Sequence, residues 1–134
     1  MILVEPEGFH VLDSSAWIEY LVEGANAHLF LPPLRMKNKQ QLIVPTIVIY
    51  EVCKKIMFED GEAAAVKAIA AMQTATVVEL SQKQATRAAA LSLQHRLPMA
   101  DSLIVATALD YDAILWTQDA HFAAFPNVKY FAKC

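Results

Sequence analysis

The sequence predicts an α/β fold of three layers, with a parallel sheet of about five strands between flanking helices, in one domain covering residues 1–134. Three observations predict it. Short apolar runs rich in Val, Ile and Leu recur along the chain, and a longer stretch of helical character separates most of them. Polar caps and Gly or Pro breaks stand where such elements would meet. An apolar fraction of 56% is enough to cover both faces of a buried sheet with one core.

The elements follow in order. His10-Val11-Leu12 reads as a strand that extends back to Phe9 or earlier. Asp13-Ser14-Ser15 opens a helix with Trp17, Ile18, Leu21 and Val22 on its apolar side. Pro32-Pro33 and the polar stretch from Lys37 to Gln41 mark a loop. Leu42-Ile43-Val44 is a second strand, and Thr46 is placed as the N-cap of a helix running to Glu59. Gly61 punctuates, and a helix from Glu62 to Met72 follows. Thr76-Val77-Val78 is a third strand, and Ser81 caps a helix ending near His95. Leu97-Pro98 breaks the chain before a helix from Met99 to Asp110. A strand from Ala113 to Trp116, a short helix from Asp119 to Ala124 and a strand from Val128 to Phe131 complete the chain.

Composition narrows the function classes. A net charge of −3 argues against a strongly basic nucleic-acid binder, although acids gathered at a metal site would also lower the total. A membrane span needs roughly 20 nearly uninterrupted apolar residues. The run from Leu42 to Tyr50 is too short and carries Pro45, so no membrane partner is expected. The start, MILVEPEGF, has acids where a signal peptide has basic residues, which reads as a cytoplasmic protein. A mean hydropathy of +0.32 leaves apolar surface for a well-filled core or for a dimer or partner interface. Cys53 reads as core packing and Cys134 as a loose end, with no disulfide framework between them.

In a parallel sheet, strand C-termini and helix N-termini share one edge, where ligands bind. Asp13, Glu51, Asp101 and Asp119 all map to that edge. Each alone has a structural explanation. Asp13 or Asp119 can cap a helix, Asp101 can sit in a first turn favoured by the helix dipole, and Glu51 can pair with Lys55 at i,i+4. Together they would be like charges that resist joint ionisation unless a cation neutralises them. A carboxylate cluster without sulfur suits Mg²⁺ or Mn²⁺.

The segments HVLDSSAWIEYL, VPTIVIYEVCKKI, HRLPMADSLIVATAL and ILWTQDAHF, taken in order, resemble the successive motifs of PIN-domain ribonucleases, nearest to the VapC-type toxins of toxin–antitoxin pairs. The resemblance runs from Phe9 to Phe131. It implies that Asp13, Glu51 and Asp101 are the main metal-binding and catalytic acids, with Asp119 a fourth. Ser14 and Thr117 match the family's supporting hydroxyl positions. It implies an Mg²⁺-dependent endoribonuclease, with Mn²⁺ a possible substitute, that uses metal-activated water and leaves a 5′-phosphate and a 3′-hydroxyl. It also implies a homodimer and a cognate antitoxin. About seven residues precede the usual first strand of the family.

The remaining candidates are weaker. Arg35, Lys37, Lys39, Lys54, Lys55, Lys83, Arg87 and Arg96 are each read first as solvated charge and second as RNA contacts. Trp17 and Tyr20 can stack on bases, but Trp17 is read as core or as part of an apolar groove, with Leu21 and the helix from Thr46, for an antitoxin helix. His121 is read as a neighbour of Asp119 and not as a ligand. A receiver-like domain would need an acceptor Asp after the third strand, where Val77-Val78-Glu79-Leu80 has none. An aspartate-based phosphatase would need Asp-x-Asp after the first strand. A dinucleotide fold would need a Gly-rich fingerprint that three glycines cannot supply. The alternative kept is a PIN-like module that binds RNA or protein without cutting.

Overall fold

A computed structural model describes residues 7–134, so most of the extra N-terminal segment noted in the sequence lies outside the described residues. The sheet has five strands in the order β3-β2-β1-β4-β5. These are β1 (His10–Leu12), β2 (Leu42–Pro45), β3 (Thr76–Val78), β4 (Ile114–Thr117) and β5 (Val128–Tyr130). All neighbouring pairs are parallel, with Val11 opposite Ile43 on one side and Leu115 on the other.

The helices are α1 (Ser14–Leu21), α2 (Leu31–Leu34), α3 (Thr46–Asp60), α4 (Glu62–Met72), α5 (Gln82–His95) and α6 (Met99–Asp110). The three inner strands are almost wholly buried because helices cover both faces. Val11, Leu12, Ile43, Val44 and Leu115 pack with Trp17, Val48, Val52, Ile104 and Val105 in one core. Edge strands β3 and β5 are half-exposed.

This topology positions the site. From β1 the chain builds outward through β2 to β3, then returns to place β4 on the other side of β1. Strand order therefore reverses between β1 and β4, and the crevice beyond their C-terminal ends is where ligands bind in open α/β sheets. Asp13 leaves β1 at that point, its N–H donating to the Trp116 carbonyl at 3.1 Å.

Local chemistry explains the helix ends. Ser81 and Gln84 form a reciprocal capping box at the start of α5. Gly61, at φ 90°, lets α3 turn directly into α4, a conformation that costs residues with a Cβ. The loop expected around Pro32-Pro33 is instead helical: a 3₁₀ turn (Ala27–Phe30) runs into α2, with Pro in its first turn, and a second turn (Lys39–Gln41) leads into β2. Thr46 is not the N-cap of α3. Pro45 holds that position without a side-chain bond, and Thr46 is the first helical residue. The helix expected after Asp119 shrinks to a 3₁₀ turn (Ala120–Phe122).

His10 is buried in the central strand. Its Nδ1 accepts from Trp116 Nε1 at 3.0 Å, and its Nε2 lies 3.0 Å from the Glu7 carbonyl. Burial lowers its pKa, so it serves as a neutral structural bridge between β1 and β4.

Candidate metal centre

Asp13 caps α1. Its Oδ1 accepts from Ala16 N at 2.9 Å and from Ser15 Oγ at 2.8 Å, and its Oδ2 accepts from Thr117 Oγ1 at 2.5 Å. The residue is only 3% exposed. Burial is the largest influence on its carboxyl and pushes it up to about 6. The three hydrogen bonds oppose that rise, and the charge of Asp119 adds to it.

Thr117, at the end of β4, is fully buried and faces two ways. It donates to Asp13, and its Oγ1 accepts from Asp119 N–H at 2.8 Å. The Asp119 carboxylate in turn caps the 3₁₀ turn after β4, accepting from His121 N at 2.9 Å. Buried Phe122 anchors that turn to the core. The turn brings His121 Nδ1 to 3.1 Å from Asp101 Oδ2 and 3.2 Å from Asp119 Oδ1. Asp101 lies in the first turn of α6. Its pKa is raised chiefly by burial and further by the charges of Asp119 and Glu51, while His121 lowers it.

Glu51 projects from the second turn of α3 and accepts from Ser14 Oγ. The alternative pairing of Glu51 with Lys55 is not formed; Lys55 instead bonds Glu59 at 2.8 Å. Ser14 therefore ties α3 to α1, and Thr117 ties β1 to the turn after β4.

All four acids line one cavity of about 540 Å³. At its edge, Asp101, Asp119 and the exposed His121 bring one donor atom each within 4.8 Å of one another; Asp13 and Glu51 line the cavity without joining that group. The donors are almost all carboxylate oxygens, two of them on acids whose burial disfavours free charge. That set fits a hard divalent cation, which would restore the charge balance that burial upsets.

Sequence reasoning missed His121 as a close member of the site, because its role depends on the 3₁₀ turn and not on spacing. It also missed Lys133, Gln118 and Ser15, which line the cavity. Asn26, remote in sequence, donates to Gln118 Oε1 at 2.7 Å and to the Ala132 carbonyl at 2.9 Å. Cys134 is tied in as well, its Sγ 3.0 Å from Asn26 Oδ1.

The basic candidates divide. Lys39 donates to the Leu34 carbonyl, Lys54 lies 5.8 Å from the Tyr50 ring centre, and Lys83 pairs with Asp110 at 3.6 Å. Only Lys55, of those named from sequence, lines the cavity. Trp17 is buried at 2% exposure, so it neither stacks on bases nor lines a groove. Leu21 does border a hollow with Ile56, Ala64 and Ala68. A more apolar groove, of about 460 Å³, runs beside the acids between Ile47, Tyr50, Phe58 and Met99, and shares Glu51 and Lys55 with the cavity. Among the described residues no helix is long and apolar enough to cross a membrane.

Solved structures similar to the chain share its fold. A toxin–antitoxin complex from Klebsiella pneumoniae matches with a TM-score of 0.78 at 23% identity, covering 92% of this chain and 99% of that one. VapBC2 from Rickettsia felis, bound to a DNA fragment from its promoter, matches with a TM-score of 0.71 at 15% identity, covering 92% and 98%. VapC20 from Mycobacterium tuberculosis, a toxin that cleaves the sarcin-ricin loop, matches with a TM-score of 0.68 at 19% identity, covering 88% and 97%. No match was found among curated proteins. The family model of the PIN domain matches residues 10–128, which takes in β1, every helix and all four acids, and the chain therefore belongs to the PIN domain family.

Proposed function

We propose that this chain is a divalent-metal-dependent endoribonuclease and the toxin of a type II toxin–antitoxin pair, its whole length forming one PIN domain. The observation that carries the reading is the convergence of Asp13, Glu51, Asp101 and Asp119, from four separate segments, on one cavity. Buried carboxylates that serve only as caps need no such convergence. The likeness to VapBC complexes and to an RNA-cleaving toxin supports the same reading.

Asp13, Glu51, Asp101 and Asp119 would hold Mg²⁺, with Mn²⁺ as a substitute. When bound, the cation supplies Lewis-acid stabilisation of phosphodiester charge and a more acidic water for in-line attack. The chain's own residues set the stage for that chemistry. Thr117 fixes Asp13 and Asp119 relative to each other, and Ser14 holds the Glu51 carboxylate toward the cavity. Lys55 and Lys133 line the same space and can offset phosphate charge at its rim. Products would carry a 5′-phosphate and a 3′-hydroxyl.

The partners follow from the same surface. A homodimer and a cognate antitoxin would suit the exposed apolar side chains of α3 and α6, and we place the pair in the cytoplasm. Phe58 is 89% exposed and Met99 73%. An antitoxin segment lying in the groove beside them would cover Glu51 and close the cavity.

RNA cleavage with and without Mg²⁺ tests the reading. Wild-type protein should cut only with the metal, and Asp101→Asn should not cut. Cleavage that survives chelation would contradict it, as would RNA binding with no cleavage under any divalent ion.

A further inference from the structure

His121 stands where a ligand would stand. Its Nδ1 lies 3.1 Å from Asp101 Oδ2 and 3.2 Å from Asp119 Oδ1. Ligand atoms bound about 2.1–2.3 Å from one ion, at right angles, are separated by about 3 Å. Both separations match that edge. Without a cation, an Nδ1–H shared between the two carboxylates holds the ring in that place.

The placement is also built in by the backbone. His121 N–H donates to Asp119 Oδ1 at 2.9 Å, which locks the turn, and Phe122 beside it is 1% exposed. Exposure rises across the three side chains, from 15% at Asp101 through 33% at Asp119 to 60% at His121. The group is thus anchored on one side and open on the other, leaving room for water or phosphate oxygens to complete a coordination shell.

We infer that Asp101, Asp119 and His121 form a mixed carboxylate–imidazole site for one divalent cation, and that His121 tilts its preference from Mg²⁺ toward a first-row transition ion such as Mn²⁺. The inference rests on the metal-dependent reading above and sharpens it. Mg²⁺ favours oxygen donors, whereas an imidazole nitrogen is a better ligand for first-row transition ions.

The test is electron spin-echo spectroscopy of Mn²⁺ bound to the full chain, together with calorimetric titration of Mn²⁺ and Mg²⁺. Wild-type protein should show ¹⁴N modulation from a directly bound nitrogen, and His121→Asn should lose it while still binding Mn²⁺. Removing the imidazole should weaken Mn²⁺ binding about tenfold and Mg²⁺ binding by less than about threefold. Because the His121 side chain is mostly exposed, the variant should keep its fold, which circular dichroism checks. Bound Mn²⁺ without nitrogen coupling, or equal weakening of both ions, would overturn the role of His121 and leave the nuclease reading standing. No binding of either ion by the wild type would overturn both.

Discussion

Burial of Asp13 among Ser15, Ala16 and Thr117 raises its carboxyl from the ordinary 3.8 to about 6. The folded state then keeps a proton that the unfolded chain has already released. Without metal, this residue's contribution to stability falls as pH rises between those two values, by about 3 kcal/mol in all. Asp13→Asn keeps an acceptor for the cap and removes the charge. In chelator, its thermal melts should therefore gain on the wild type as pH rises from 4 to 6. A gap between the two proteins that is independent of pH would contradict this. The same variant should be inactive on RNA. Ser14 acts one step back, through Glu51. Ser14→Ala should retain the fold and lower cleavage by about ten- to a hundredfold, in line with other residues that orient metal ligands. The four acids were legible in the sequence from their positions after strands and at helix starts. His121 was not, because its approach to Asp101 depends on a turn across 20 residues that no spacing rule describes.

The helices owe their ends to different devices, and these differ in how visible they are in sequence. Ser81 was readable as a cap, and the structure adds Gln84 as the other half of the box. Ser81→Ala should cost about 1 kcal/mol, seen as a lower unfolding midpoint in urea with unchanged slope. Thr46 is a cap-type residue with Ile49, not Glu or Gln, three residues on, and the preceding proline takes the cap position with a φ that suits the entry to α3. The Pro32-Pro33 segment was misread for a related reason. Proline stops a helix from inside but fits its first turn, and here α2 begins at the residue before the pair. β4 ends one residue later than its apolar run suggests, at Thr117, because the hydroxyl that would mark a strand end is instead buried against Asp13.

Across the whole molecule, the reversal of strand order between β1 and β4 gathers chemistry from distant parts of the chain. Alternating strand and helix signals made the parallel sheet legible, but the order of strands required the structure. The network from Glu51 through Ser14, and from Asp13 through Thr117 and Asp119 to His121 and Asp101, spans both sides of that reversal. A cation bound there would join α3, α6 and the strand ends, so saturating Mn²⁺ should stabilise the wild type by about 2.7 kcal/mol at a hundredfold excess over Kd. Asp101→Asn should lose most of that gain, as followed by thermal melts. The exposed Phe58 and Met99 beside the cavity predict that co-expression with an antitoxin partner yields a tight complex in which cleavage is suppressed. The most direct test is to incubate the pure chain with total cellular RNA and map the new ends with and without Mg²⁺ or Mn²⁺. The account predicts defined internal cuts with 5′-phosphate ends, present only with the metal and absent in Asp13→Asn and Asp101→Asn. Unchanged RNA with either ion, or cuts that persist in both variants, would contradict it.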